Sequence, residues 1–121
     1  ALGAVIMNIT IDHQNTGECD KLKVTVYRMC ARDDQLIVGL QNTKESVAIQ
    51  RIELSVVENR IEKNLKIPDS ALKPGDKLKE VSLPEKVSNE TSVDVIAVVG
   101  RENSPVTCTT PIHHSSPPPR C

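Results

Sequence analysis

Residues 36–56 read LIVGLQNTKESVAIQRIELSV, and this stretch decides the fold. Alternating apolar residues predict a strand at 36–40, and the polar run Asn42–Glu45 predicts a turn. A second apolar series follows from Val47 to Val56. Its alternation changes parity near Gln50–Arg51, which predicts a β-bulge inside that strand.

The same alternation recurs along the chain and predicts short strands with no amphipathic helix. The apolar bulk is 14 Val, 10 Ile, 9 Leu and 6 Ala, and such a β-branched excess favours strands over helices. Both faces of residues 91–99 are apolar, so we expect that strand to be central. The remaining predicted strands lie at 4–11, 21–29, 78–83 and 106–112, with a short edge strand at 65–67.

These strands predict an all-β fold, an immunoglobulin-like β-sandwich of seven to nine short strands with a Pro-rich C-terminal tail. The 121 residues suit one folded unit. Within it we expect an apolar N-terminal strand at 1–12, the sandwich domain at 13–112 and an extended tail at 113–121.

Composition argues against several classes of function. Lys and Arg total 15 against 16 Asp and Glu, a net charge of −1, whereas nucleic-acid binders carry a basic excess. One Tyr with no Phe or Trp leaves little material for a small-molecule pocket or a base-stacking surface. The charge balance therefore predicts no nucleic-acid partner. No apolar run approaches about 20 residues, so we also predict no membrane span.

Three stretches together resemble a recurring pattern of extracellular β-sandwiches. They are residues 36–56, the turn LKPGD at 72–76 with Leu78 and Val81 after it, and the strand VDVIAVV at 93–99. The pattern is similar to bacterial cell-adhesion-related (CARDB-type) modules and to the sandwich domains of prokaryotic surface filaments, over about residues 22–100. The resemblance implies a β-sandwich in an extracellular setting and transfers no catalytic residues.

Four cysteines, Cys19, Cys30, Cys108 and Cys121, lack the CxxC spacing of zinc and thioredoxin-type sites. Two disulfides in an oxidising compartment are therefore expected, with four reduced cysteines in the cytosol as the alternative. Cys19 and Cys30 flank a strand and lie about 35 Å apart if it is straight, beyond disulfide reach. Strand tracing then favours Cys19–Cys108 with Cys30–Cys121, while bonds between subunits stay open.

Two Asn-X-Thr triplets begin at Asn8 and Asn89 and predict N-linked glycans. Asn8 lies on the more polar face of the first predicted strand, and Asn89 lies in a predicted turn. Two coincidental triplets are the alternative. Glycans and disulfides agree with an extracellular or cell-surface location.

Candidate metal and catalytic residues are few. His13, His113 and His114 are considered for a transition metal, and Asp33 and Asp34 for calcium. Adjacent histidines on a strand point in opposite directions, and Asp pairs are common in turns for backbone reasons. No nucleophile motif or glycine-rich phosphate loop is present. We therefore expect no catalytic residues, no metal, no cofactor and no enzymatic activity.

Three hypotheses for function remain. In the first, the chain is a structural subunit of an extracellular filament, and its N-terminal strand buries Val5, Met7, Ile9 and Ile11 against a neighbouring copy. In the second, it is a monomeric secreted adhesion module that recognises a protein or glycan through its loops. The third, a small enzyme or metal carrier using the three histidines, ranks last.

Overall fold

The computed structural model of the chain describes residues 18–121, in which residues 18–20 are helical and eight β-strands follow. The strands are β1 (Val24–Arg32), β2 (Gln35–Asn42), β3 (Arg51–Glu58), β4 (Ile61–Lys66), β5 (Lys77–Leu83), β6 (Ser92–Arg101), β7 (Ser104–Thr107) and β8 (His113–Ser115). The strand predicted at 1–12 lies outside the described residues. With it lie Val5, Met7, Ile9, Ile11 and Asn8.

The strands form two antiparallel sheets, which confirms the all-β sandwich and the predicted number of strands. One sheet has the order β1-β2-β5, and the other has the order β4-β3-β6-β7. β8 pairs with β6 on the side that β7 also occupies, because β3 pairs along the opposite side. A constant-type immunoglobulin domain places its fourth strand beside the fifth. Here β4 instead pairs with β3.

The core between the sheets consists of aliphatic side chains. In β3 every second side chain is buried, and in β6 Val93, Val95 and Ala97 are fully covered. β6 is central, as expected from its two apolar faces, since it pairs with β3 on one side and with β7 and β8 on the other. Each buried aliphatic side chain contributes about 1.5–3 kcal/mol.

The chain crosses from the first sheet to the second through residues 43–50. Ile49 exchanges backbone hydrogen bonds with Leu72 at 2.8 and 2.9 Å, outside any named strand. The buried Asn42 side chain anchors the crossing, because its Nδ2 donates to Val47 O at 2.8 Å and to Leu72 O at 3.2 Å. Gln50 N donates to Val98 O at 2.7 Å, and Arg51 also lies opposite Val98 in β6, so two residues of this strand face one residue of its partner. This is the arrangement of the β-bulge predicted near position 50, and it lies where the chain enters the second sheet.

Of the strand predicted at 106–112, only residues 106 and 107 belong to a strand, β7, and β8 begins one residue after the predicted end. Between them the chain still follows β6, since Cys108 N donates to Ala97 O at 3.0 Å and Ile112 N donates to Val95 O at 2.7 Å. The short edge strand predicted at 65–67 corresponds to β4. This strand is longer than predicted, since it begins at Ile61 and ends at Lys66.

Candidate functional site

Two disulfides tie the two ends of β1 to the C-terminal part of the chain. Cys19, just before β1, bonds to Cys108 with the Cα atoms 5.6 Å apart. Cys30, near the end of β1, bonds to Cys121 with the Cα atoms 5.0 Å apart. These are the two pairs that strand tracing favours. Because the order of the cysteines is the same in both segments, residues 108–121 run parallel to β1 along one flank of the sandwich.

The last residues of the chain pair with β1. Ala31 N donates to Pro119 O at 2.8 Å, and Cys121 N donates to Ala31 O at 3.1 Å. The segment predicted as a Pro-rich tail, 113–121, therefore belongs to the sandwich: it supplies β8, and its end is held by the bridge to Cys30.

The rest of the outer edge of β1, which we call the β1 edge, carries backbone groups that face away from β2. Successive residues of a strand direct their N–H and C=O groups to opposite edges. Lys23 O accepts from Thr43 N at 3.0 Å on the β2 side, whereas Ala31 bonds on the outer side. The pairing with β2 shifts by one residue after Val26. The residues whose N–H and C=O groups face away from β2 are therefore Val24, Val26 and Met29.

No backbone hydrogen bond from another residue in the range 18–121 reaches these three outward positions. The side chains beside them are apolar and incompletely covered. Leu22, Val24 and Val26 pack against the core yet stay half-buried. A cleft of about 350 Å³, the lateral cleft, opens between the start of β1 and the segment before β8. Its apolar lining is Leu22, Val24, Pro111 and Ile112, and its polar lining includes Asp20, Lys23 and Thr110. Within residues 18–121, the β1 edge thus presents outward backbone groups without a backbone partner beside the half-buried Leu22, Val24 and Val26.

Of the other strands that end a sheet, β4 and β5 carry more charge than β1, whereas β7 and β8 are short and carry no Asp, Glu, Lys or Arg. Charged side chains on an edge oppose the addition of a further strand. Between Val24 and Met29, β1 carries one charged residue, Arg28, and its Nε donates to Glu80 Oε1 at 2.8 Å. The exposed charged residues of these two strands are Glu62, Lys63 and Lys66 on β4, and Lys77, Lys79 and Glu80 on β5.

The single aromatic residue of the chain braces the outer face of this sheet. The Tyr27 hydroxyl donates to Leu78 O at 2.7 Å, so the side chain reaches from β1 across β2 to β5. Its ring lies over Gly39, where an added Cβ would stand 2.8 Å from the ring carbons. Lys77 Nζ lies 4.5 Å from the ring centroid. Sequence reasoning missed this brace, for which a lone Tyr near a strand Gly was the available signal.

Asn89 lies in an exposed turn, where an attached glycan would project into solvent. The third residue of its triplet, Thr91, is fully buried. Thr91 Oγ1 accepts a hydrogen bond from Ser88 N at 2.9 Å. Thr91 therefore closes the turn 88–91 in addition to completing the triplet. The second triplet, at Asn8, lies outside the described residues.

A second cleft, the pole cleft, lies beside the Cys30–Cys121 bridge and has a volume of about 380 Å³. Charge is contributed by Arg32, Asp33 and Arg120. Neither guanidinium forms an ion pair with another residue in the described part of the chain. The other lining residues are Ala31, Val87, Ser88, Asn89, Pro117, Pro118 and Cys121.

The histidines do not share a site. His113 is half-buried, with Nε2 3.0 Å from Ser115 Oγ. His114 is exposed, and its Nδ1 bonds to Asp94 Oδ1 on the neighbouring strand. The two side chains point to opposite faces of β8, as alternation requires. His13 lies outside the described residues.

Asp33 and Asp34 form the two-residue turn between β1 and β2. Asp33 has a φ of 53°, a conformation that Asp tolerates better than most residues. No group of three or more His, Cys, Asp or Glu side chains suited to a metal ion occurs among residues 18–121.

The chain matches no known protein family, curated protein or solved structure. Within residues 18–121, no helix is long and apolar enough to cross a membrane. Function is therefore inferred from the β1 edge, the two clefts and the disulfides.

Proposed function

We propose that the chain is a non-enzymatic structural subunit of an extracellular assembly, joined when residues 1–12 of one copy add as a strand to a sheet of the next. The observation that carries this proposal is the β1 edge, where outward backbone groups lie beside half-buried Leu22, Val24 and Val26. An added strand satisfies such groups and covers the apolar surface beside them.

Residues 1–12 have the pattern that such a strand needs. Val5, Met7, Ile9 and Ile11 recur at every second position, so an extended segment presents them on one face. Strand addition between unlike surfaces is head-to-tail and does not close on itself, which generates a filament. This mode of assembly resembles donor-strand assembly in surface pili by its mechanism and not by a matched sequence.

The disulfides support an extracellular setting, because bridges of this kind persist in oxidising compartments. Glycans at Asn8 and Asn89 would coat the outside of the assembly. The exposed position of Asn89 is compatible with that role.

Sedimentation velocity tests the proposal with two matched variants of the full chain, both made without glycans. The apolar-face variant carries Met7→Asp and Ile9→Asp, and the polar-face variant carries Asn8→Asp and Thr10→Asp. Both add two negative charges to the same segment. We expect the apolar-face variant to sediment as a monomer while the polar-face variant and the wild type form larger species. Equal assembly of both variants, or a wild type that is monomeric at all concentrations, would refute the proposal.

The pole cleft favours a second candidate function, a monomeric adhesion module. Arg32 and Arg120, whose guanidinium groups form no ion pair within residues 18–121, offer donors with the nearby Asn89 amide to an acidic protein or glycan ligand. Binding of such a ligand by a stable wild-type monomer, with no effect of the apolar-face substitutions, would support this candidate in place of the first.

A further inference from the structure

We infer that the added strand comes from residues 4–11 of a second copy and pairs with the outward groups of Val24, Val26 and Met29 on the β1 edge. This inference rests on the proposed function and names the surface that receives the strand. Its steps are the length of the free edge, the apolar surface beside it and the path of the chain into β1.

The free part of the β1 edge has a defined length. At its far end Ala31 is already bonded to Pro119 and Cys121, and the bridge between Cys30 and Cys121 fixes that contact. An incoming strand can therefore occupy residues 24–30, which span about 23 Å in extended form. A segment of seven or eight residues fits this length, and the alternating stretch 4–11 has eight.

The apolar surface sets which face of the incoming strand turns inward. Val24 and Val26 are half-buried from β1, and Ile112 is half-buried from the segment before β8. A strand on the β1 edge whose inward side chains are Val, Met and Ile continues this layer and covers the lateral cleft. A shift of one residue would turn the polar Asn8 and Thr10 inward, so the register is specified.

The path of the chain into β1 argues that the added strand comes from a second copy and not from the same chain. Cys19 is bonded to Cys108, which follows β7 in the other sheet, so the chain enters β1 from that sheet. Lys21 N and Leu22 N donate to Glu18 O and Cys19 O and hold a tight turn there. An intramolecular strand would need residues 12–17 to lead from the β1 edge to this anchored turn, whereas a strand from a neighbouring copy needs no such connection.

Two substitutions close the β1 edge without removing bonds to β2. Val24 is the first residue of β1, and its N–H faces outward, so Val24→Pro removes an outward donor at a position where proline is tolerated. Val26→Lys places a charge where it stays solvated on an open edge but is buried under an added strand. Ser82→Pro is the matched control. Asn42 faces β5, because it bonds to Gly75 and Asp76, so by alternation Ile37 faces β1. Ser82 lies opposite Ile37, and its N–H therefore faces outward on the β5 edge.

A complementation experiment then tests the inference. The apolar-face variant keeps the β1 edge but lacks a competent strand, and the Val24→Pro variant keeps the strand but lacks the edge. Each alone is expected to be monomeric, and an equimolar mixture is expected to form a 1:1 dimer that grows no further. The Ser82→Pro variant is expected to assemble as the wild type does. Retained folding is checked by circular dichroism, and Val26→Lys replaces Val24→Pro if that variant unfolds.

The outcomes separate the two levels of inference. If the apolar-face variant assembles, the proposed function fails. If it is monomeric but Val24→Pro and Val26→Lys assemble normally, or Ser82→Pro abolishes assembly, the β1 edge is the wrong surface. A wild-type protein carrying photo-reactive methionine at Met7, mixed as heavy and light copies, gives a readout free of edge substitutions. Cross-links from Met7 of one copy to residues 24–30 of another are expected, and cross-links confined to one copy would overturn the inference.

Discussion

Replacing Cys30 and Cys121 together by Ala is expected to lower the free energy of unfolding by about 3.5 kcal/mol. If it were the only bridge, the Cys30–Cys121 bond, with a sequence separation of 91, would stabilise the fold by about 4.6 kcal/mol at 25 °C, because it lowers the entropy of the unfolded chain. The Cys19–Cys108 bridge remains, however, and shortens the path through the unfolded chain. Cys30 lies 11 residues after Cys19 and Cys121 lies 13 after Cys108, so the loop that is actually closed contains about 26 residues.

The free-energy cost of removing a bridge should therefore depend on whether the other bridge is still present. Whichever pair is replaced first costs about 3.5 kcal/mol, and the remaining pair then costs about 4.6 kcal/mol, because it has become the single constraint on a long loop. The total of about 8 kcal/mol lies within the range of stabilities of whole domains, so the chain without bridges is expected to be close to unfolded.

Urea unfolding followed by far-ultraviolet circular dichroism measures these values for the wild type, each single-bridge variant and the variant with neither bridge. An osmolyte such as trimethylamine N-oxide, present in all four samples, keeps the last variant folded. A second removal that costs less than the first would refute the reasoning, as would a single removal that costs under 1 kcal/mol.

Three further substitutions test the packing of the sandwich by urea unfolding. Gly39→Ala is expected to destabilise by about 1–2 kcal/mol because the new Cβ displaces the Tyr27 ring, and Tyr27→Ala should abolish most of that cost in a double-mutant cycle. Ser70→Ala should cost about 1–3 kcal/mol, since its buried hydroxyl bonds two backbone groups. Lys63→Ala should cost about 1–2 kcal/mol, because it leaves the buried Glu85 carboxylate without its cation.

Controls accompany these variants. Lys23 bonds to Glu45 at 3.4 Å, but the Glu45 side chain is 81% exposed against 8% for Glu85. Lys23→Ala is therefore expected to cost less than about 1 kcal/mol. Equal losses for the two lysine variants would contradict the role given to burial. A Gly39→Ala cost that persists without the Tyr27 ring would contradict the steric origin of that effect.

Alternation was sufficient to predict most strands because burial follows it closely. In β3, Ile52, Leu54 and Val56 are buried and the residues between them are not. A strand between Cys19 and Cys30 forbids their direct bond and leaves two pairings, of which the tracing of strands from one pole to the other favours the pair of bridges that is found. β4 was underestimated, since its residues 61–64 are all exposed and an exposed edge strand needs no apolar alternation.

Other features depend on contacts that a local pattern does not record. The change of parity at position 50 marks the bulge in the sequence, but the passage between sheets just before it depends on the pairing of Ile49 with Leu72, which the local pattern does not show. Likewise, the alternating N-terminal segment predicts a strand that can pair with a sheet, but it does not predict which sheet edge accepts that strand. The free length of the β1 edge depends on the bond between Ala31 and Pro119, 88 residues apart in the chain.

The most direct test of strand addition is amide hydrogen exchange at Val24, Val26 and Met29 in the wild-type assembly and in the monomeric apolar-face variant. These three N–H groups face away from β2, so they are expected to exchange rapidly in the monomer and slowly in the assembly. Amides of Thr25 and Cys30, which face β2, are expected to be protected in both. Rapid exchange of the three outward amides in the assembly would contradict the central claim that copies join at the β1 edge.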